Sequence, residues 1–134
     1  MSFVPPVNQS LSLKDIRAIG QIFNDTYGRS TTRDAGYGIN ASLQGNNLIL
    51  KYQTIVQYHS AAGLEEQQKK YQKESNDVIA QGITEAKKQF RDLAGRTLGL
   101  NEVSNETSME AVSASPHSPR KIAYYRRTIV FELS

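Results

Sequence analysis

A chain of 134 residues with no cysteine cannot form disulfides, thiolate metal sites or a cysteine nucleophile, and it is long enough for one buried core but short for two. Its formal charge of +3 is too small by itself to mark a nucleic-acid binder. Its mean hydropathy of −0.52, with no apolar run near the ~18–20 residues a bilayer demands, argues against a membrane-spanning helix.

Residues 1–11 read as an extended arm, because Pro5 and Pro6 stand side by side and disfavour helix before them. The start, MSFVPPVNQS, has neither the basic nor the apolar segment of a secretion signal, so a cytoplasmic or virion-associated protein is expected.

Residues 12–27 follow as a helix. Ser12 is a good N-cap with Asp15 three positions on, and Leu13, Ile16, Ile19, Phe23 and Tyr27 recur at intervals of three and four, which places them on one face. A polar connector, residues 29–35, leads to a hairpin over 37–59. In its first strand Tyr37, Ile39, Ala41 and Leu43 alternate with small and polar residues, the period of a strand with one wet face. Gly45-Asn46-Asn47 supplies the turn. In the second strand Leu48, Leu50, Tyr52, Thr54, Val56 and Tyr58 share a face, opposite Lys51, Gln53, Gln57 and His59 with Ile49 and Ile55.

Residues 64–94 read as one long helix ending at Gly95 or Gly99. Its stripe is Leu64, Tyr71, Val78, Ile79, Ile83, Ala86, Phe90 and Leu93, with Ser75 and Gly82 lying along it. At ~1.5 Å per residue it spans roughly 46 Å, more than the ~36 Å expected across a domain of this length. The helix therefore either kinks, with Gly82 in position to do so, or overhangs the sheet and offers its stripe to a partner. Residues 96–119 carry little periodicity and read as a connector, whose only strand-like stretch is Met109–Ala114. A last strand covers Lys121–Leu133. The whole is a single α+β domain: an antiparallel sheet, made of a long hairpin and a C-terminal strand, packed against one long helix, with a short N-terminal helix. Leu50, Tyr52, Val56, Ile83, Phe90 and Ile129 are expected to be buried together.

No catalytic, cofactor or metal residue is assigned. The two histidines, His59 and His117, lack zinc-site spacing. Gly36-Tyr37-Gly38 lacks the third glycine of a dinucleotide loop, and Gly95-Arg96-Thr97 lacks the lysine of a phosphate loop. Glu65 and Glu66 are adjacent on a helix, so they point about 100° apart.

The uneven placement of charge is more informative. Residues 101–118 carry Glu102, Glu106 and Glu110 without Lys or Arg, whereas Arg120, Lys121, Tyr124, Tyr125, Arg126 and Arg127 crowd the final strand. Basic and aromatic residues interleaved on a strand suit single-stranded nucleic acid, whose bases stack on rings while cations meet phosphates. Alternation divides the cluster, however: Tyr124 and Arg126 share one face, and Lys121, Tyr125 and Arg127 the other. That division favours an edge strand guarded by charge, with its tyrosines covering the helix. The arm, the overlong helix, the long hairpin and the absence of a catalytic grouping lead to a non-enzymatic structural or assembly protein. It would act by self-association or by docking in a larger protein assembly, as small virion and assembly-accessory proteins of bacteriophages do. The alternative is a single-stranded nucleic-acid-binding accessory protein, with nucleic acid the less favoured partner and no membrane involved.

Overall fold

Two short polar contacts start the helices, one at the expected cap Ser12 and one at Ser60, which begins the long helix ahead of the expected residue 64. Ser12 Oγ accepts the Asp15 amide at 3.1 Å, opening α1 (Leu13–Gly28). Ser60, extended at φ −146°, accepts the Gly63 amide at 3.0 Å, opening α2 (Ala61–Ala94), which Gly95 closes at φ 69° with its N–H on the Arg91 carbonyl at 2.8 Å. The computed structural model describes residues 11–28, 38–112 and 121–134. Its four strands are β1 (Gly38–Gln44), β2 (Asn47–Tyr58), β3 (Leu100–Val112) and β4 (Lys121–Leu133).

The strands form one antiparallel sheet in the order β1-β2-β4-β3. β1 and β2 join through the two-residue turn Gly45-Asn46, where Gly45 takes a positive φ of 61° that glycine adopts without steric cost. One face of the sheet carries Ile39 and Ala41 of β1, Leu48, Leu50, Tyr52 and Val56 of β2, and Ala123, Tyr125, Ile129 and Phe131 of β4, all buried. Over it lie Ile19, Phe23 and Tyr27 of α1 and Ile79, Ala86 and Phe90 of α2. The helix-on-sheet core is thus as the periodicity predicts, except that Ile83 is only partly buried against it. Leu11, assigned to the extended arm, is buried in the same core; residues 1–10 and the connector 29–35 lie outside the described residues.

α2 runs unbroken through Gly82, and that glycine serves packing. A Cβ there would stand 2.2 Å from Cε1 of Tyr27, whose ring crosses the helix at this point and whose hydroxyl donates to the Ile79 carbonyl at 2.8 Å. The fully buried positions of α2 fall between Ser75 and Phe90. Leu13 and Leu93, expected in the apolar stripes, lie near helix ends at 65% and 67% exposure.

Two expectations are corrected. Residues 96–119 are not merely a connector with a short strand at Met109–Ala114; they hold β3, thirteen residues long. β4 is not an edge strand, because β2 flanks it on one side and β3 on the other. The edges are β1, seven residues long and packed under α1, and β3, none of whose residues is fully buried. Among the described residues no helix is long and apolar enough to cross a membrane.

Candidate docking face

The helices cover one side of the sheet, and among the described residues nothing packs on the other. The registers arrange that outer face in rows across the strands: Gln44, Asn47, Glu132 and Asn101; Ser42, Ile49, Val130 and Ser104; Asn40, Lys51, Thr128 and Glu106; Gly38, Gln53, Arg126 and Ser108; then Ile55, Tyr124 and Glu110; and last Gln57, Ile122 and Val112. None of these residues is fully buried. An open side of an antiparallel sheet is normally polar. Here the rows at one end present Ile55 and Val112, each 38% exposed, beside the half-buried Tyr124 and Ile122.

The basic-aromatic cluster is divided by this geometry. Arg120 lies outside the described residues. Lys121 is exposed at the start of β4, opposite Tyr58. Tyr125 is completely buried, with its ring edge-on to Tyr52 at 5.9 Å between centroids, so it has no face to offer a base. Arg127, on the same side as Tyr125, points toward α2, where Nη1 donates to Ser75 Oγ at 3.1 Å and to Asn76 Oδ1; its Nε donates to Asn105 Oδ1 at 3.1 Å.

Only Tyr124 and Arg126 reach the outer face together. The Arg126 guanidinium lies 5.1 Å from the centre of the Tyr124 ring, donates to Gln53 Oε1 at 3.0 Å and forms an ion pair with Glu110 at 2.6 Å. Its charge is therefore already answered by a neighbouring strand. An open hollow of about 400 Å³ where β3 meets β4 is lined by Glu106, Thr107, Ser108, Arg126 and Thr128. It combines one paired cation with a free carboxylate, a poor receptacle for a phosphate. On the outer face the acids Glu106, Glu110 and Glu132 outnumber the cations Lys51 and Arg126.

Elsewhere, a smaller hollow of about 230 Å³ between the start of α1 and the end of α2 is lined by Lys14, Asp15, Ala18, Leu93, Ala94 and Arg96, with Arg96 and Asp15 3.9 Å apart. Among the described residues no three His, Cys, Asp or Glu side chains are placed to hold a metal ion. His59 is exposed just beyond β2, and His117 lies outside the described residues. No family model, curated protein or solved structure matches this chain.

β3 is what the residue pattern concealed. It contributes Glu106 and Glu110 to the outer face and Asn105 to the clamp around Arg127, yet its sequence, LNEVSNETSMEAV, lacks the apolar alternation by which strands are recognised. The one available signal was weak: three glutamates at regular intervals of four facing a basic strand.

Proposed function

We propose that this chain is a non-enzymatic structural protein that acts by docking to protein through the open face of its sheet, as a component of a larger assembly. One observation carries this reading: the end of the outer face formed by Ile55, Ile122, Tyr124 and Val112 is apolar and uncovered among the described residues. Apolar side chains gathered on an otherwise polar surface mark an interaction site more often than singly scattered ones do. The exposure of β3 on both sides supports the same reading, since a strand held by one neighbour gains stability when a partner covers it.

Nucleic acid is the weaker reading, because Tyr125 is buried and Arg126 is paired with Glu110. Measurement of mass in solution, with and without a short single-stranded oligonucleotide, separates the two. The expected result is that the oligonucleotide adds no mass to the chain, whether it sediments at 14.9 kDa or as a heavier assembly. A stoichiometric oligonucleotide complex abolished by Tyr124→Ala would overturn the proposal.

A further inference from the structure

Among the described residues, an antiparallel sheet with one open face and two edge strands offers three routes to self-association, and charge closes one of them. β3 carries Glu102, Glu106 and Glu110 and no Lys or Arg. Antiparallel pairing of two β3 strands would bring six carboxylates onto one ladder, where like charges repel. A bulge at Val103 further bends that edge. β1 offers only seven residues and is packed under α1. The outer face is what remains.

We infer that the occupant of this face is a second copy of the chain, stacked sheet on sheet about a two-fold axis that runs parallel to the strands between β2 and β4. This rests on the docking role proposed above and names its partner. Such an axis lays β4 of one copy over β2 of the other while keeping each row on its own row. The registers then put Ile55 over the partner copy's Tyr124, Ile49 over its Val130 and Gln53 over its Arg126. Apolar rows meet apolar rows, and polar rows meet polar rows.

Charge selects this axis over the perpendicular one. Lys51 and Glu106 share a row with Thr128 between them, and they form no ion pair with each other. Neither has an ionic partner among the described residues. The proposed axis sets β3 of one copy over β1 of the other, beside β2. Each Glu106 then comes within reach of the other copy's Lys51, and the two unanswered charges meet twice. An axis across the strands would instead stack β3 on β3 and gather four outer-face glutamates. The face, four strands at ~4.8 Å by about 36 Å of strand, covers roughly 700 Å², comparable to the ~800 Å² per partner of a standard interface. Two sheets stacked within ~30° of parallel are an ordinary sandwich, here with the helices outside.

Sedimentation of the full chain from micromolar concentration downward tests the arrangement, using Lys51→Glu, Glu106→Lys, the charge-swapped double variant and Ile55→Asp, each checked for native circular dichroism. A dimer is expected for the unmodified chain. Each single charge reversal should weaken it about tenfold or more, because like charges then face each other, and the double variant should return most of that loss. Ile55→Asp should abolish dimerisation. A dimer that ignores Ile55→Asp, or whose charge reversals show no mutual rescue, overturns this interface, moves self-association to another surface and leaves the open face to a different protein. A lone 14.9 kDa species at every concentration overturns self-association altogether and leaves docking to a different protein.

Discussion

Arg127 of β4 donates at 3.1 Å to the hydroxyl of Ser75, 52 positions earlier on α2. Ser75 is completely buried, and its own proton goes to the Gln72 carbonyl at 2.9 Å. The Tyr125 hydroxyl, 3.3 Å away, is therefore the donor to Ser75. Arg127 also reaches Asn76 on the helix and Asn105 on β3. One guanidinium thus ties the helix to two strands near the N-terminal limit of the fully buried stretch of α2, and the residue that reads as a ligand-binding cation is a fastening.

Arg127→Ala should accordingly lower the unfolding free energy by about 1–3 kcal/mol, since it removes the charged hydrogen bond to the buried Ser75 hydroxyl together with those to the exposed Asn76 and Asn105. Arg126→Ala removes an exposed pair and should cost no more than about 1 kcal/mol. Urea unfolding of the two variants compares them directly. Equal losses would show that the inward arginine fastens nothing.

Gly82→Ala sets two effects against each other. Alanine gains up to ~1 kcal/mol over glycine inside a helix, but its Cβ would sit 2.2 Å from the Tyr27 ring, and overpacking costs about 1–3 kcal/mol. Net destabilisation is expected in thermal melting. Part of it should vanish when Tyr27→Ala is present as well, because adjacent substitutions couple. A raised Tm for Gly82→Ala alone would place the tyrosine elsewhere.

Replacing Glu102, Glu106 and Glu110 together by threonine removes the charges from the long edge while raising strand propensity. Light scattering should then report large, concentration-dependent aggregates from a chain that keeps its β-sheet circular dichroism. A triple variant as dispersed as the original would mean that the glutamates do not guard β3.

Oligonucleotide affinity should be weak and only slightly sensitive to salt. The two cations of the outer face, Lys51 and Arg126, predict a log–log slope no steeper than about −1.4, whereas four contacts would give about −3. Tyr125→Ala should destabilise the fold by about 3–5 kcal/mol, as large-to-small core changes of aromatic residues do. A steep slope flattened by Arg126→Ala would return nucleic acid to the first place among partners.

Most of the core was legible because burial writes periodicity into sequence. Leu48, Leu50, Tyr52 and Val56 alternate because one side of β2 is dry, and Ile79, Ala86 and Phe90 recur at helical spacing because one side of α2 is dry. β3 was illegible for the converse reason: Leu100 and Met109 are only partly buried and the strand has no dry side. Strand order left no mark either. The charges of β4 resemble those that guard an edge, and only the long-range partners Glu110, Asn105 and Ser75 show how a central strand holds two arginines. The split of Tyr124 from Tyr125 was readable from alternation; the burial of Tyr125 required the fold.

The last strand in chain order occupies the middle of the sheet, and this dictates an order of events in folding. α1, β1, β2 and α2 are contiguous and can meet as soon as they exist, whereas β4 must return to β2 across the whole of α2 and β3. Closing so distant a pairing is slow relative to local helix and hairpin formation. Among the described strands β3 bonds only to β4, its neighbour in the chain, so the two can pair locally as a hairpin. The slow step is then the docking of that hairpin on β2, and the acidic strand joins the sheet only through β4.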